Sequence, residues 1–342
     1  MQPDGMRAVR EGVAITRADH FTALRLSGGD GAWETVSWLT SGELFLRDGQ
    51  VLHSLWLDER ARPLADVYVL RDDESFVVVA ESRGKDLVAH ARQNVRGGAV
   101  IDALGETHRV VSLNGPFAWE LLGDIVGPDV VSLPYMASFR IEGGWALRAG
   151  KTGEYGYDLV LPVDRADAVE ARLRERGVRF DLEDAPLAVL EQCMLENWFF
   201  NVRREGSLDV TPRELQLQWR TSRGREYLGA ASLEAQRKED PRQRLTTLVP
   251  SAPVHAGDEV RLWGEAVGTI ANAGDGVALA LVDVAWAHPW IDGFAVSPGR
   301  TPARSVTPPL ANNHSLHVNP QQHSYATRDE IPFPPLFTGL AR

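Results

Sequence analysis

The sequence predicts an α+β protein with a small all-β domain near its C-terminus and an extended arm after that. Three observations carry this. Short apolar strands alternate with helical patterns through residue 225. From Leu245 the chain becomes short strands separated by turn signals. Residues 299–342 are rich in proline, asparagine, glutamine and histidine, which suits an arm rather than regular structure. The expected boundaries are therefore 1–225, 226–298 and 299–342.

In order along the chain, strand-forming residues fill 10–29 and a helix follows at 32–40. Asp48-Gly49 reads as a hairpin turn between strands at 44–46 and 51–57. Strands at 64–70 and 75–80 continue the meander. Within the first of these, Asp66 and Tyr68 share one face, and Ala65, Val67 and Val69 the other. One face is core. The other is either an ordinary solvent face or a cavity wall carrying an acid and a phenol. A helix is predicted at 85–96 and strands at 100–104 and 108–113. Asn114-Gly115-Pro116 opens a helix at 117–125, since proline suits a first turn. A strand pair at 139–141 and 145–148 turns at Gly143-Gly144. Arg148 to Pro162 then reads as strand, glycine turn and strand, with Gly150, Gly153 and Gly156 permitting tight backbone approach. Glu154 and Asp158 flank that turn. Amphipathic helices are predicted at 165–176 and 187–198, and a shorter one at 226–237. Strands at 245–249, 259–262, 266–270, 276–283 and 294–296 make the small all-β domain. In the arm, Leu310, Tyr325, Ile331, Phe333 and Phe337 favour packing on the body.

The chain has 342 residues, 44% hydrophobic and 24% charged, as in ordinary globular proteins. Its formal net charge of -11 argues against nucleic acid or an anionic membrane surface as a partner. The single cysteine, Cys193, excludes an intrachain disulfide and a cysteine metal cage. His314, His317 and His323 lack the spacing of a zinc site, so no metal is expected. The N-terminal residues carry no apolar signal core, and a cytoplasmic location is the default.

Several motifs, in order, resemble the folate-binding aminomethyltransferase family typified by the T-protein of the glycine cleavage system. Lys151-Thr152-Gly153-Glu154-Tyr155-Gly156-Tyr157-Asp158 is similar to that family's glycine motif. Leu64-Ala65-Asp66 resembles the segment carrying its catalytic aspartate. Leu113-Asn114-Gly115-Pro116, Leu133-Pro134-Tyr135-Met136, Leu195-Glu196, Thr211-Pro212 through Trp219, and Glu226-Tyr227-Leu228-Gly229 match further segments. The resemblance covers roughly residues 10–297.

The resemblance implies a three-lobed ring, two α+β lobes and a small β-barrel, around a cavity that binds tetrahydrofolate. It implies Asp66 as the catalytic carboxylate, able to shuttle a proton or stabilise a cation. It places Asp158 at the pterin, where a carboxylate accepts two adjacent N–H groups, and Trp219 in the pocket wall. Tyr68, Lys151 and Glu154 complete the expected cofactor-binding set. Lys151 stands where the family has a tyrosine; it either restores a lost positive charge or pairs with Glu154. Leu190 and Met194 stand where the family has arginines. The implied function is transfer of a methyl or methylene group between tetrahydrofolate and a small-molecule methyl or aminomethyl donor, as an aminomethyltransferase or an O-, N- or S-demethylase, with a carrier protein as a further partner. The alternatives are a non-catalytic folate-binding accessory protein of the iron–sulfur assembly type, whose motif has a cysteine where this chain has Glu226, and an enzyme that reuses the cavity without folate.

Overall fold

A computed structural model describes residues 5–333; the expected arm residue Phe337 lies outside them. Two open sheets and one barrel organise the chain. The first sheet has five strands in the order Val51–Leu57, Pro63–Asp72, Ser75–Ser82, Phe21–Ser27, Val100–Ala103. The second has six, in the order Glu183–Asp184, Ala14–Arg17, His108–Asn114, Gly156–Pro162, Gly144–Leu147, Ser138–Ile141.

The two sheets pack face to face, and the period of two in their strands decides what meets what. From Pro63–Asp72, Ala65, Val67 and Val69 point to the helices Asp30–Leu39 and Leu87–Gln93. Tyr68 and Leu70 point to the second sheet, where they meet Leu147 and Val160. From Gly156–Pro162, Tyr157, Leu159 and Leu161 turn outward to the helices Ala118–Val126 and Val163–Gly177. The alternation expected of residues 64–70 is present, but both faces are buried, so neither is a solvent side. Asp66 and Asp158 occupy inward-facing positions in the same two strands. The sheets thus carry a carboxylate each into their common interior.

Local chemistry sets the helix ends. Asp86 caps Leu87–Gln93 by accepting from the Ala89 amide at 2.9 Å. The helix expected at 226–237 starts only at Ala230, because Gly229 takes a left-handed conformation at φ 86°. The strand expected at 44–46 is absent: Leu44 packs into the core under the first sheet, Phe45 is exposed, and 47–50 forms a turn.

The third lobe is a closed six-stranded barrel formed from Gln243–Pro250, Glu259–Leu262, Glu265–Ala273, Ala278–Asp283, Phe294–Val296 and Thr301–Val306. Its last strand pairs with both its first and its fifth. The barrel therefore runs past the expected boundary at 298, because closure needs that strand. The arm begins after it and packs on the body: Val318, Tyr325 and Ile331 enter the core of the second lobe, and Leu310 packs beside the barrel. Among the described residues no helix is long and apolar enough to cross a membrane.

Candidate active site

The glycine turn at 149–156 sits where the two sheets and the helix Leu187–Asn197 meet. A Cβ on Gly153, already at φ 85°, would lie 2.5 Å from Asn313 and 2.7 Å from Asn197. A Cβ on Gly156 would collide with the Ala149 carbonyl. Both positions need glycine for closeness, and Gly153 needs it for conformation as well. The turn sends alternate side chains in opposite directions. Lys151 goes inward, between the sheets. Glu154 goes outward to the arm, accepting from the His314 amide at 3.0 Å, the Ser315 amide at 2.7 Å and the Ser315 hydroxyl at 2.6 Å.

Inside, Lys151 Nζ lies 2.6 Å from Asp66 Oδ2 and 2.7 Å from Glu81 Oε1. Asp66 and Glu81 are register partners on neighbouring strands, so their carboxylates emerge side by side. The other Asp66 oxygen accepts from His53 Nε2 at 2.7 Å and Arg220 Nη1 at 2.8 Å. The other Glu81 oxygen meets Arg203 Nε at 3.3 Å, and Arg203 continues to Glu191 at 2.9 Å. The result is a line of alternating charge, Arg220, Asp66, Lys151, Glu81, Arg203, Glu191, buried from Arg220 to Glu81 and partly exposed at its Glu191 end.

This line fixes protonation. Burial alone would raise the Asp66 carboxyl, but His53, Lys151 and Arg220 together hold it far below the usual carboxylate range. Burial also depresses His53, to about 4, against the pull of Asp66, so at neutral pH it is an uncharged donor. Glu81 is lowered despite burial, chiefly by Lys151. Lys151 is raised, because Asp66 and Glu81 outweigh its burial. Asp158 differs. Burial pushes it up to about 6, only partly offset by a hydrogen bond from Ser112 and the charge of Lys151. The buried Tyr68 hydroxyl has no hydrogen-bond partner among the described residues, and burial raises it well above the usual phenol range.

A narrow cavity of about 40 Å³ lies among these groups, walled by Tyr68, Glu81, Lys151, Asp158, Leu190 and Met194. That volume suits a few waters. Other concavities are larger but lie on the surface, away from the charge line.

The structure brings Asp66, Tyr68, Lys151 and Asp158 together at this cavity. Glu154 and Trp219, expected beside the cofactor, are elsewhere. Glu154 is taken by the arm and by Arg10 at 3.7 Å. Trp219 is 68% exposed, and its ring lies on the outer side of Arg220, 4.9 Å from the guanidinium carbon. It is Arg220, the next residue, that enters the site. Lys151 pairs with Asp66 and Glu81 and not with Glu154. The sequence reading also missed His53, Glu81, Arg203 and Ser112. For three of them the signal was strand pairing: His53 sits opposite Tyr68, Glu81 opposite Asp66 and Ser112 opposite Asp158.

Two open sheets with helices packed on them, and a closed barrel, define an α+β fold class. The chain belongs to the GCVT family, whose N-terminal domain matches residues 3–224. It is 27% identical over 299 residues to an aminomethyltransferase of Corynebacterium aurimucosum, a match covering 82% of this chain and 81% of that protein. An aminomethyltransferase of Thermotoga maritima is 26% identical over 291 residues, covering 80% and 79%. The crystal structure of glycine cleavage system aminomethyltransferase T from Bartonella henselae superposes with a TM-score of 0.78 at 23% identity, over 89% of this chain and 88% of that one. That likeness fixes the fold.

Proposed function

We propose that the protein is a tetrahydrofolate-dependent one-carbon transferase that moves a methyl or methylene group between a small donor and the folate. The observation that carries this is the inward-facing Asp158: a buried carboxylate near pH 6 with one side-chain donor, Ser112, is costly in a sheet interior unless a ligand uses it. Two adjacent N–H groups of a pterin edge match it. The unpartnered Tyr68 hydroxyl stands in the same cavity.

The donor set fits a pterin, and Asp158, Ser112 and Tyr68 would hold it. The space must widen to take one, since ligand pockets run to about 300 Å³ and more. Leu190 and Met194, on the helix Leu187–Asn197, are the side chains in the way. Tetrahydrofolate, when bound, supplies the nitrogen that receives the one-carbon unit.

The chain's own groups divide the work. Asp66 is too acidic in this setting to take a proton near neutrality, so the proton-shuttle role expected of it gives way to that of a fixed negative charge. Preorganised by His53 and Arg220, it holds the Lys151 ammonium at the cavity wall. Asp158 is the group that titrates in the working range and can both accept from a ligand N–H and hold a proton.

A second reading, an enzyme using the cavity without folate, draws support from Leu190 in the wall and the small volume. One experiment separates the two. Tetrahydrofolate titrated into the wild type, followed by quenching of tryptophan fluorescence, is expected to saturate in the micromolar range or below and to fail in Asp158→Ala. No saturation up to high micromolar, or the same curve in both proteins, would reject the folate reading.

A further inference from the structure

Lys151 is the cation at the centre of the charge line. Its ammonium lies 2.6 Å and 2.7 Å from carboxylates on two adjacent strands. Two buried acids paired in register make a socket for a cation. Among the described residues Asp66 Oδ2 makes no aligned hydrogen bond, and the Lys151 ammonium lies 2.6 Å from it. Beside it the Tyr68 hydroxyl is buried without a partner and faces the same cavity. The remaining oxygens of both acids are taken by His53, Arg220 and Arg203.

We propose that Lys151 is the resident cation of this socket and the specificity-determining residue of the site: by filling the place between Asp66 and Glu81 it excludes donors that are cationic at the reacting atom. The wall then offers a donor one carboxylate without an ion-pair partner, Asp158, and that is the group assigned to the pterin. Two cations, Lys151 and Arg203, line the cavity as well. An ammonium or sulfonium donor would face positive charge with no free acid to meet it. A donor uncharged at its methyl-bearing atom, an ether or thioether, faces no such opposition. What the donor gives its methyl to rests on the transferase reading above; the socket itself does not.

The test is chemical rescue. Lys151→Ala removes the atoms of a propylammonium ion and leaves both carboxylates. Propylammonium is expected to raise the thermal midpoint of Lys151→Ala saturably, with an apparent affinity about tenfold or more above any it shows for the wild type. Propanol, of the same length and uncharged, should do neither. Where Lys151→Ala does not fold by itself, its refolding yield from urea in propylammonium against propanol gives the same readout. A second variant, Lys151→Met, keeps the apolar stem and loses the charge. Its loss of stability relative to wild type should grow from pH 4.5 to pH 8, as two adjacent acids deprived of the lysine between them are forced to ionise together. Equal response of wild type and variant to propylammonium, equal rescue by propanol, or a pH-independent loss in Lys151→Met would overturn the proposal. Tetrahydrofolate binding by the wild type reports separately on the transferase reading, so the two can fail independently.

Discussion

Replacing Asp158 by Asn should stabilise the protein at pH 7.5 relative to its effect at pH 4.5. The carboxyl rises from 3.8 to about 6 on folding because it is buried with little compensation. An acid with a raised folded pKa holds its proton more tightly when folded. The folded state therefore binds more protons, and stability falls as pH climbs from about 4 to about 6. At about 1.4 kcal/mol per pH unit the whole effect is about 3 kcal/mol, of which about 2 kcal/mol develops between pH 4.5 and 7.5. Asn cannot ionise and escapes that loss. Effects of shape and of the Ser112 hydrogen bond are common to both pH values and cancel in the comparison. Urea unfolding followed by tryptophan emission suits the measurement, since Trp145 lies in the core between the two sheets. The expected result is a variant about 2 kcal/mol better, relative to wild type, at the higher pH. An equal effect at both would mean that Asp158 is a satisfied structural acid, and the case for a ligand meeting it would fall. If the carboxylate is kept at this cost, it is kept for binding.

Other perturbations follow from the same geometry. Asp66→Asn leaves Lys151 and Arg220 facing a neutral amide in the interior; a loss of about 3 kcal/mol or more in urea is expected, together with loss of turnover of any methyl donor. Glu154→Ala removes the acceptor of three hydrogen bonds from the arm; limited proteolysis should cut within 307–333 sooner, while tetrahydrofolate binding persists. Trp219→Ala should change stability by no more than about 0.5 kcal/mol and leave folate binding unaltered, because the ring is exposed on the far side of Arg220.

The sheets were legible because strands alternate. Once Ala65, Val67 and Val69 are assigned to one face, Asp66 and Tyr68 must lie on the other, and the second sheet makes that face an interior. Barrel closure was less so. Thr301–Val306 contains a proline and follows the turn-rich end of the domain, so it reads as arm until its pairing on both sides is seen. Of the charge line, only Asp66 and Lys151 were legible. Arg220 is 154 residues from Asp66, and Arg203 is 122 from Glu81. Their approach depends on three-dimensional packing that no local pattern encodes. Trp219 drew attention as an aromatic, yet the 3-10 turn Gln218–Arg220 rotates it outward and its neighbour inward. At the glycine turn, the acid nearest the glycines, Glu154, serves the arm, and Asp158 serves the cavity. Side-chain direction along the turn decides that, and sequence spacing does not show it.

The proposed function requires Asp158 to meet a pterin between the two sheets while Lys151 stays in its socket. A crystal structure with tetrahydrofolate soaked in tests that most directly. It should show the cavity widened at Leu190 and Met194, the pterin N–H groups on the Asp158 carboxylate, and Lys151 still between Asp66 and Glu81. Folate bound elsewhere, or a cavity unchanged at saturating ligand, would contradict it.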